Sequence, residues 1–192
     1  TGDYNVGLGG EALTAVTSGS HNTGLGYSAL AANSTGAKNV AVGQYSLNSN
    51  TTASNNTSVG RAAMFTNTTG ADNVAIGQDA LYHNTTASSN TAVGKSAMAA
   101  NTTGSPNVAV GRNALTANTT AANNVAVGDN ALAANTTGYS NTGLGDRALI
   151  TNTTAHSNTA VGADSLAANT TGSYNTAVGL SALTANTTAS SN

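Results

Sequence analysis

The sequence predicts an all-β fold, a parallel β-solenoid of eleven repeats, and three observations support this prediction. An asparagine recurs every 17 residues, from Asn5 and Asn22 to Asn192. A glycine follows four residues after each of the first eleven asparagines. Val, Leu or Ile precedes that glycine, and Leu or Met stands four residues after it, so two aliphatic columns run along the array. We number the positions of each repeat from its asparagine.

The first five positions predict a short strand that ends at a corner. The segment from Asn107 to Gly111 reads Asn-Val-Ala-Val-Gly, which is rich in β-branched residues. The invariant glycine, as at Gly111 and Gly128, indicates a positive φ or a close approach of another backbone segment. We expect the aliphatic residues at positions four and nine to form the core, and six of them represent these two columns: Val42, Leu47, Val110, Leu115, Val127 and Leu132.

Positions six to twelve carry helix-forming residues behind a capping side chain, which favours one short helical turn in each repeat. Charged residues from Glu11 onward occupy only positions six, seven and seventeen, and we expect these to be solvent-facing corners. The six tyrosines also lie at variable positions, so the sequence predicts no aligned aromatic column.

Two asparagine columns predict ladders of side-chain amides from coil to coil. One column lies at position one and includes Asn107 and Asn124. The other lies at position twelve and includes Asn118 and Asn135. Stacked strands about 4.8 Å apart would bring each column into hydrogen-bonding register.

Position fifteen alternates between glycine and alanine from the second repeat onward, as in Gly36, Ala53, Gly70 and Ala87. Two explanations fit this alternation. Either a 34-residue unit was duplicated, or one physical coil holds two repeats. The predicted coil is therefore 17 or 34 residues long.

Composition excludes several classes of function. Only 6% of residues are charged and the net charge is −2, so no basic face is available for nucleic acid. No apolar run is long enough for a membrane helix, and we expect no membrane insertion. The histidines His21, His83 and His156 occupy three different repeat positions, and no nucleophile, base and acid stand together. We expect no enzyme activity and no cofactor.

Three carboxylates form the one weak candidate for a metal site. Asp129 and Asp146 share position six in consecutive repeats, and Asp164 stands at position seven of the next. Calcium could bind such an edge. We prefer a solvated acidic edge, in which Arg112 stacks beside Asp129 and Arg147 lies next to Asp146.

The recurrent Asn-Thr-Thr segment has three interpretations. It is formally an N-glycosylation acceptor, but its regular recurrence favours a structural ladder. A regular, uncharged threonine column, represented by Thr119, Thr136 and Thr153, is also typical of an ice-binding face. Adjacent residues of a strand point to opposite faces, so each Thr-Thr pair would present only one outward threonine, which weakens that interpretation.

The segments Asn39 to Gly43 and Asn158 to Gly162 resemble the NSVAIG-type motif of trimeric autotransporter adhesin heads. The whole unit is also similar to repeats of phage tail-fibre-like proteins and of long bacterial surface proteins. The resemblance covers residues 5–192. It implies a left-handed parallel β-roll, trimerisation and an extracellular fibre on a cell surface or virion. This unit is longer than that of the adhesin heads, because it carries an added Ala-Leu segment.

These observations predict a non-enzymatic structural shaft of an extracellular fibre or filament. Residues 1–4 would lead in from a preceding repeat, and residues 5–192 would form one solenoid array without caps. The expected partner is the chain itself, either head to tail or as a trimer, and host-surface glycans are a further candidate. The alternatives are an ice-binding protein and a carbohydrate-binding surface module.

Overall fold

The computed structural model describes residues 2–192, which form a parallel β-solenoid with a single eleven-stranded sheet. The strands follow one another in the sheet in chain order, and every pairing is parallel. Their bounds are β1 Val6–Leu8, β2 Thr23–Leu25, β3 Val40–Val42, β4 Thr57–Val59, β5 Val74–Ile76, β6 Thr91–Val93, β7 Val108–Val110, β8 Val125–Val127, β9 Thr142–Leu144, β10 Thr159–Val161 and β11 Thr176–Val178.

One coil of the solenoid contains one 17-residue repeat. Val108 pairs with Val125, and Val125 pairs with Thr142, so each strand lies beside the strand 17 residues further on. The prediction of a parallel β-solenoid is confirmed, and the explanation that one coil holds two repeats is wrong. At about 4.8 Å per strand, the eleven coils extend roughly 50 Å.

The middle residue of each strand points into the coil, and its two neighbours point outward. Ala109 is fully buried, whereas Val108 and Val110 on either side of it are each 36% exposed. The prediction that Val42, Val110 and Val127 belong to the core is therefore wrong. Strand side chains alternate between faces, and the buried asparagine at position one places position three, not position four, inside.

The core consists of small and aliphatic residues from positions three, eight and nine. Leu47, Leu115 and Leu132 at position nine are fully buried, and they pack among alanines such as Ala114 and Ala131. The second to tenth coils thus each contribute one large aliphatic side chain to the interior, whose remaining space is taken mainly by alanine and asparagine.

The segment after each strand is a turn, and the described chain contains no helix. The expected helical turn does not form because two residues of this segment adopt the left-handed conformation in every coil. Asn113 at position seven has φ of 56° and Leu115 at position nine has φ of 51°. A right-handed helix needs consecutive right-handed residues, so this alternation excludes it.

The left-handed residues let the turn bond to both neighbouring coils. The amide of Asn113 donates to Lys95 O of the preceding coil at 3.0 Å, and the amide of Leu115 donates to Ala131 O of the following coil at 3.0 Å. A left-handed conformation costs a non-glycine residue about 1 kcal/mol. The hydrogen bonds that it makes satisfy backbone groups that would otherwise be buried without partners.

The glycine at position five is required for two reasons at the corner after the strand. Gly43 has φ of 126°, a conformation that L-residues rarely adopt. A Cβ atom at this position would lie 2.7 Å from the carbonyl carbon of Gly60 in the next coil. No other residue fits here without displacing the backbone of the neighbouring coil.

The alternation at position fifteen corresponds to two alternating turn geometries. In a glycine coil, the amides of Thr68 and Thr69 both donate to Thr85 O, at 2.9 and 3.2 Å. In the following alanine coil, Thr85 donates to Thr102 O at 3.2 Å, and the adjacent Thr86 amide makes no such bond within the described chain. The coils are therefore equal in length but alternate in backbone hydrogen bonding.

Candidate functional site

Two ladders of buried asparagines hold the coils in register. At position one, the backbone N–H of Asn124 donates to the side-chain Oδ1 of Asn107 at 2.9 Å. At position twelve, Asn118 Nδ2 donates to Asn101 Oδ1 at 2.9 Å, and Asn135 Nδ2 donates in turn to Asn118 Oδ1 at 3.3 Å. All of these asparagines are at most 2% exposed. The two columns are thus continuous ladders inside the solenoid.

The two ladders meet at the carbonyl group of position fifteen. Asn107 Nδ2 donates to Ala121 O at 2.8 Å, and Asn118 Nδ2 donates to the same oxygen at 3.2 Å. No buried side-chain nitrogen or oxygen of residues 2–192 lacks a hydrogen-bond partner. The interior is therefore polar in part but fully hydrogen-bonded, which is the condition under which buried amides are tolerated.

The same burial bears on glycosylation of the Asn-Thr-Thr segments. The asparagine of each such segment stands at position twelve, and Asn50 and Asn118 have no exposed surface. The Nδ2 atom that would carry a glycan already donates to the neighbouring coil. From Asn50 to Asn169, the folded solenoid therefore gives a glycosyl-transferring enzyme no access to these atoms; Asn186, in the last coil, is only partly buried.

The side chains at positions two and four form a continuous surface that we call the outer sheet face. Every residue in these two columns is Val, Leu, Ile or Thr, and none is charged. Several of the aliphatic side chains remain well exposed: Ile76 at 40%, Val108 and Val110 at 36%, and Leu144 at 38%. The face runs along all eleven strands without interruption.

The threonines at position thirteen are occupied by contacts within the solenoid. Thr119, Thr136 and Thr153 are half-buried, and each donates its hydroxyl hydrogen to the carbonyl of position thirteen in the next coil, at 3.4, 3.1 and 3.2 Å. The neighbouring threonines at position fourteen, such as Thr120 and Thr137, are exposed. The column named for ice binding is thus a ladder of hydroxyl groups bonded to the backbone.

The acidic edge is a series of ion pairs. Arg112 binds Asp129 through Nε and Nη2, at 3.0 and 2.7 Å, and this bond raises the pKa of the Arg112 guanidinium above its ordinary value. Arg147 pairs with Asp164 at 3.2 Å rather than with Asp146 beside it. Among residues 2–192, no three His, Cys, Asp or Glu side chains are arranged to hold a metal ion.

The aromatic residues are in contact across coils, although the tyrosines occupy different repeat positions and form no aligned column. Tyr27, Tyr45, Phe65 and Tyr82 follow one another with ring centroids 5.4, 6.0 and 5.3 Å apart. Phe65 and Tyr82 both stand at position ten, and their rings are stacked with 15° between their planes. The other two rings join from positions six and seven, because long side chains can bridge between columns.

The three histidines are also found beside tyrosines. His21 stacks on Tyr4 with 5.0 Å between centroids, and His156 stacks on Tyr139 at 4.6 Å. The structure does not bring the histidines together, because they lie in the first, fifth and ninth coils. His83 differs in lying edge-on to Tyr82, at 4.8 Å, at the end of the aromatic chain.

An open groove of about 420 Å³ lies at that end of the aromatic chain. Its lining residues come from positions six, seven, ten and eleven of three consecutive coils: Arg61, Asp79, Tyr82, His83, Ser96 and Ala99. Sequence reasoning missed this groove. The available signal was the pair Phe65 and Tyr82, which are aromatic residues separated by one repeat.

Comparisons with protein-family models, with curated proteins and with solved structures found no match for this chain. The described part of the chain contains no helix long and apolar enough to cross a membrane. The fold and the surfaces described above are therefore the basis for a functional proposal.

Proposed function

We propose that this chain is the non-enzymatic structural shaft of an extracellular fibre, on a cell surface or a virion, in which copies of the chain associate laterally. The observation that carries the proposal is the outer sheet face. It is continuous, uncharged and partly exposed over all eleven strands. Contiguous exposed apolar surfaces of this kind mark sites of protein association.

The thin interior supports the same proposal. The second to tenth coils each bury one Leu or Met at position nine, whereas the second large aliphatic residue of the coil, at position four, lies outside. Burial of apolar surface contributes about 25 cal/mol per Å². A second copy in parallel alignment would bury the position-four column against its own, and would repeat this contact in every coil. The resemblance to trimeric adhesin heads favours a small number of copies around this face.

The internal ladders suit a mechanical role. Backbone bonds connect successive coils through both the strand and the turn, and the two asparagine ladders run parallel to them inside. A tensile force along the solenoid axis would be shared by all of the hydrogen bonds that connect two successive coils. Charged residues from Glu11 onward lie only at positions six, seven and seventeen, outside the buried columns, so surface charge can change without altering the ladders.

Lateral association is tested by sedimentation and electron microscopy of the unaltered chain and of a variant with Val110→Lys and Val127→Lys. We expect the unaltered chain to form oligomers and the variant to be monomeric, because lysine at these positions would place charges in the interface. The matched control carries Thr120→Lys and Thr137→Lys, which add the same charge to exposed positions of the same two coils.

Circular dichroism would establish that both variants keep the solenoid. A monomeric unaltered chain at high concentration would contradict the proposal. So would an oligomer that survives in the sheet-face variant.

A second candidate, ice binding, is favoured by one observation on the same face. Thr142, Thr159 and Thr176 lie in register on β9, β10 and β11, beside an aliphatic column. Such a regular, uncharged grid could order water as a flat array. Thermal hysteresis in the unaltered chain, abolished by Thr159→Tyr, would support this function. An absence of hysteresis in the unaltered chain would eliminate it.

A further inference from the structure

We propose that the groove beside Tyr82 is a binding subsite for one neutral hexopyranose ring of a glycan. This inference does not depend on lateral association, because no residue of the outer sheet face lines the groove. Assembly and sugar binding can therefore succeed or fail independently.

The groove exists because an aromatic column stops short. Position ten is Phe65 in the fourth coil, Tyr82 in the fifth and Ala99 in the sixth. Phe65 covers one face of the Tyr82 ring, with 5.3 Å between the centroids. Ala99 has only a methyl group where the next ring of the stack would lie. Tyr82 and Ala99 both line the open groove, and the space beside the tyrosine ring, bordered by His83, can take a flat ligand.

Polar groups with unused hydrogen-bonding capacity border the groove. Arg61 Nη2 lies 3.4 Å from both oxygens of Asp79, and Gln78 Nε2 donates to Asp79 Oδ2 at 2.9 Å. The guanidinium has five N–H donors and the carboxylate about four acceptor sites, so this long contact leaves most of them free. The Arg61 side chain is 55% exposed and that of Asp79 is 26% exposed.

This combination matches the chemistry of a sugar ring. One face of a pyranose presents C–H groups, which pack favourably against the electron-rich face of a tyrosine ring. Each of its hydroxyl groups can both donate and accept a hydrogen bond. The Asp79 carboxylate can accept such a bond, and the Arg61 guanidinium can donate one. The one positive and one negative charge of the groove balance, which favours a neutral ligand over a phosphate or a sulfate. An open groove suits one residue within a longer chain.

Binding is tested by saturation-transfer NMR and titration with the methyl glycosides of glucose, galactose and mannose. We expect at least one of them to bind the unaltered chain weakly, with saturation transferred mainly to the C–H protons of one ring face. Binding by none of the three would overturn the proposal. Stronger binding of indole or adenosine than of any glycoside would overturn the assignment to sugars.

Three variants test whether the binding takes place in this groove. Tyr82→Ala should weaken binding about tenfold or more, because it removes the stacking surface. Tyr82→Phe should retain most of the affinity. Ala99→Tyr should abolish binding by extending the aromatic column into the groove, and the fold should tolerate it because position ten already holds Phe65 and Tyr82.

The control is Tyr139→Ala, which removes an exposed tyrosine outside the groove and should leave affinity unchanged. Circular dichroism of each variant checks the fold. Unaltered affinity in Tyr82→Ala would overturn the proposal, and so would retained binding in Ala99→Tyr.

Discussion

The interior of the solenoid and its outer sheet face reverse the usual distribution of polar and apolar residues. Asn118 has no exposed surface, whereas Val110, in the same coil, is 36% exposed. The asparagine is tolerated inside because the neighbouring coils supply its partners at the same position in every repeat. In so thin a coil, hydrogen bonds between coils organise the interior, and large aliphatic side chains remain for contacts outside.

The largest effect should come from breaking a ladder in the interior. Asn118→Leu keeps a similar volume but leaves Asn101 Oδ1 without its donor and removes the acceptor of Asn135 Nδ2. We expect the free energy of unfolding to fall by about 4 kcal/mol, because two buried polar groups lose partners. Urea unfolding measures this loss. The control Thr120→Leu lies at an exposed position of the same coil, and a similar loss there would contradict the explanation.

The next largest effect should be seen by comparing substitutions of two adjacent residues that point to opposite sides of one strand. Ala109→Leu adds three carbon atoms to a fully buried position and should cost about 3 kcal/mol. Val110→Leu should change the free energy of unfolding by less than about 0.5 kcal/mol, since surface substitutions have small effects. Thermal and urea unfolding of both variants would test the assignment of the two faces. Equal losses would mean that position four is packed inside after all.

The smallest effect concerns the hydroxyl ladder between the interior and the surface. Thr136→Val keeps the shape of the side chain but removes the hydrogen bond to Thr153 O. We expect a loss of about 1 kcal/mol, the typical net value of one such bond. The matching change Thr137→Val, at an exposed neighbour, should have no measurable effect. A stabilised Thr136→Val variant would show that this ladder contributes nothing to stability.

The sequence was sufficient for the parts of the fold that depend on the repeat itself. Regular recurrence of asparagine and glycine led to the coils and to both ladders, because identical residues must stack when every repeat is one coil. Burial of Leu115 also followed, since it is the large aliphatic residue of the turn. The alternation at position fifteen left the coil length open, and strand pairing was needed to decide it.

The orientation of the strand was missed because hydrophobicity misleads in a three-residue strand. Val110 is more hydrophobic than Ala109, yet the space inside admits only the smaller residue. The predicted asparagine ladder at Asn107 would have given the correct orientation. Residues at positions one and three share a face, so a buried asparagine at position one implies a buried residue at position three. The left-handed conformation of Leu115 had no such signal, because leucine has no preference for it. The groove is formed by side chains from different repeat positions of three coils, and the repeat pattern alone does not indicate that they meet.

The alternating residues at position fifteen have a consequence for how such a gene can change in length. A Cβ atom at Gly70 would collide with the carbonyl oxygen of Ala87 in the following coil, so an alanine coil cannot take the place of a glycine coil. Unequal crossing-over that added one repeat could place two alanine coils side by side and introduce this collision. Addition or loss of 34 residues keeps the alternation intact and changes the length by about 10 Å. Steps of two coils therefore preserve both turn geometries, whereas a one-coil step is accommodated only where it places two glycine coils side by side, as Gly19 and Gly36 already are.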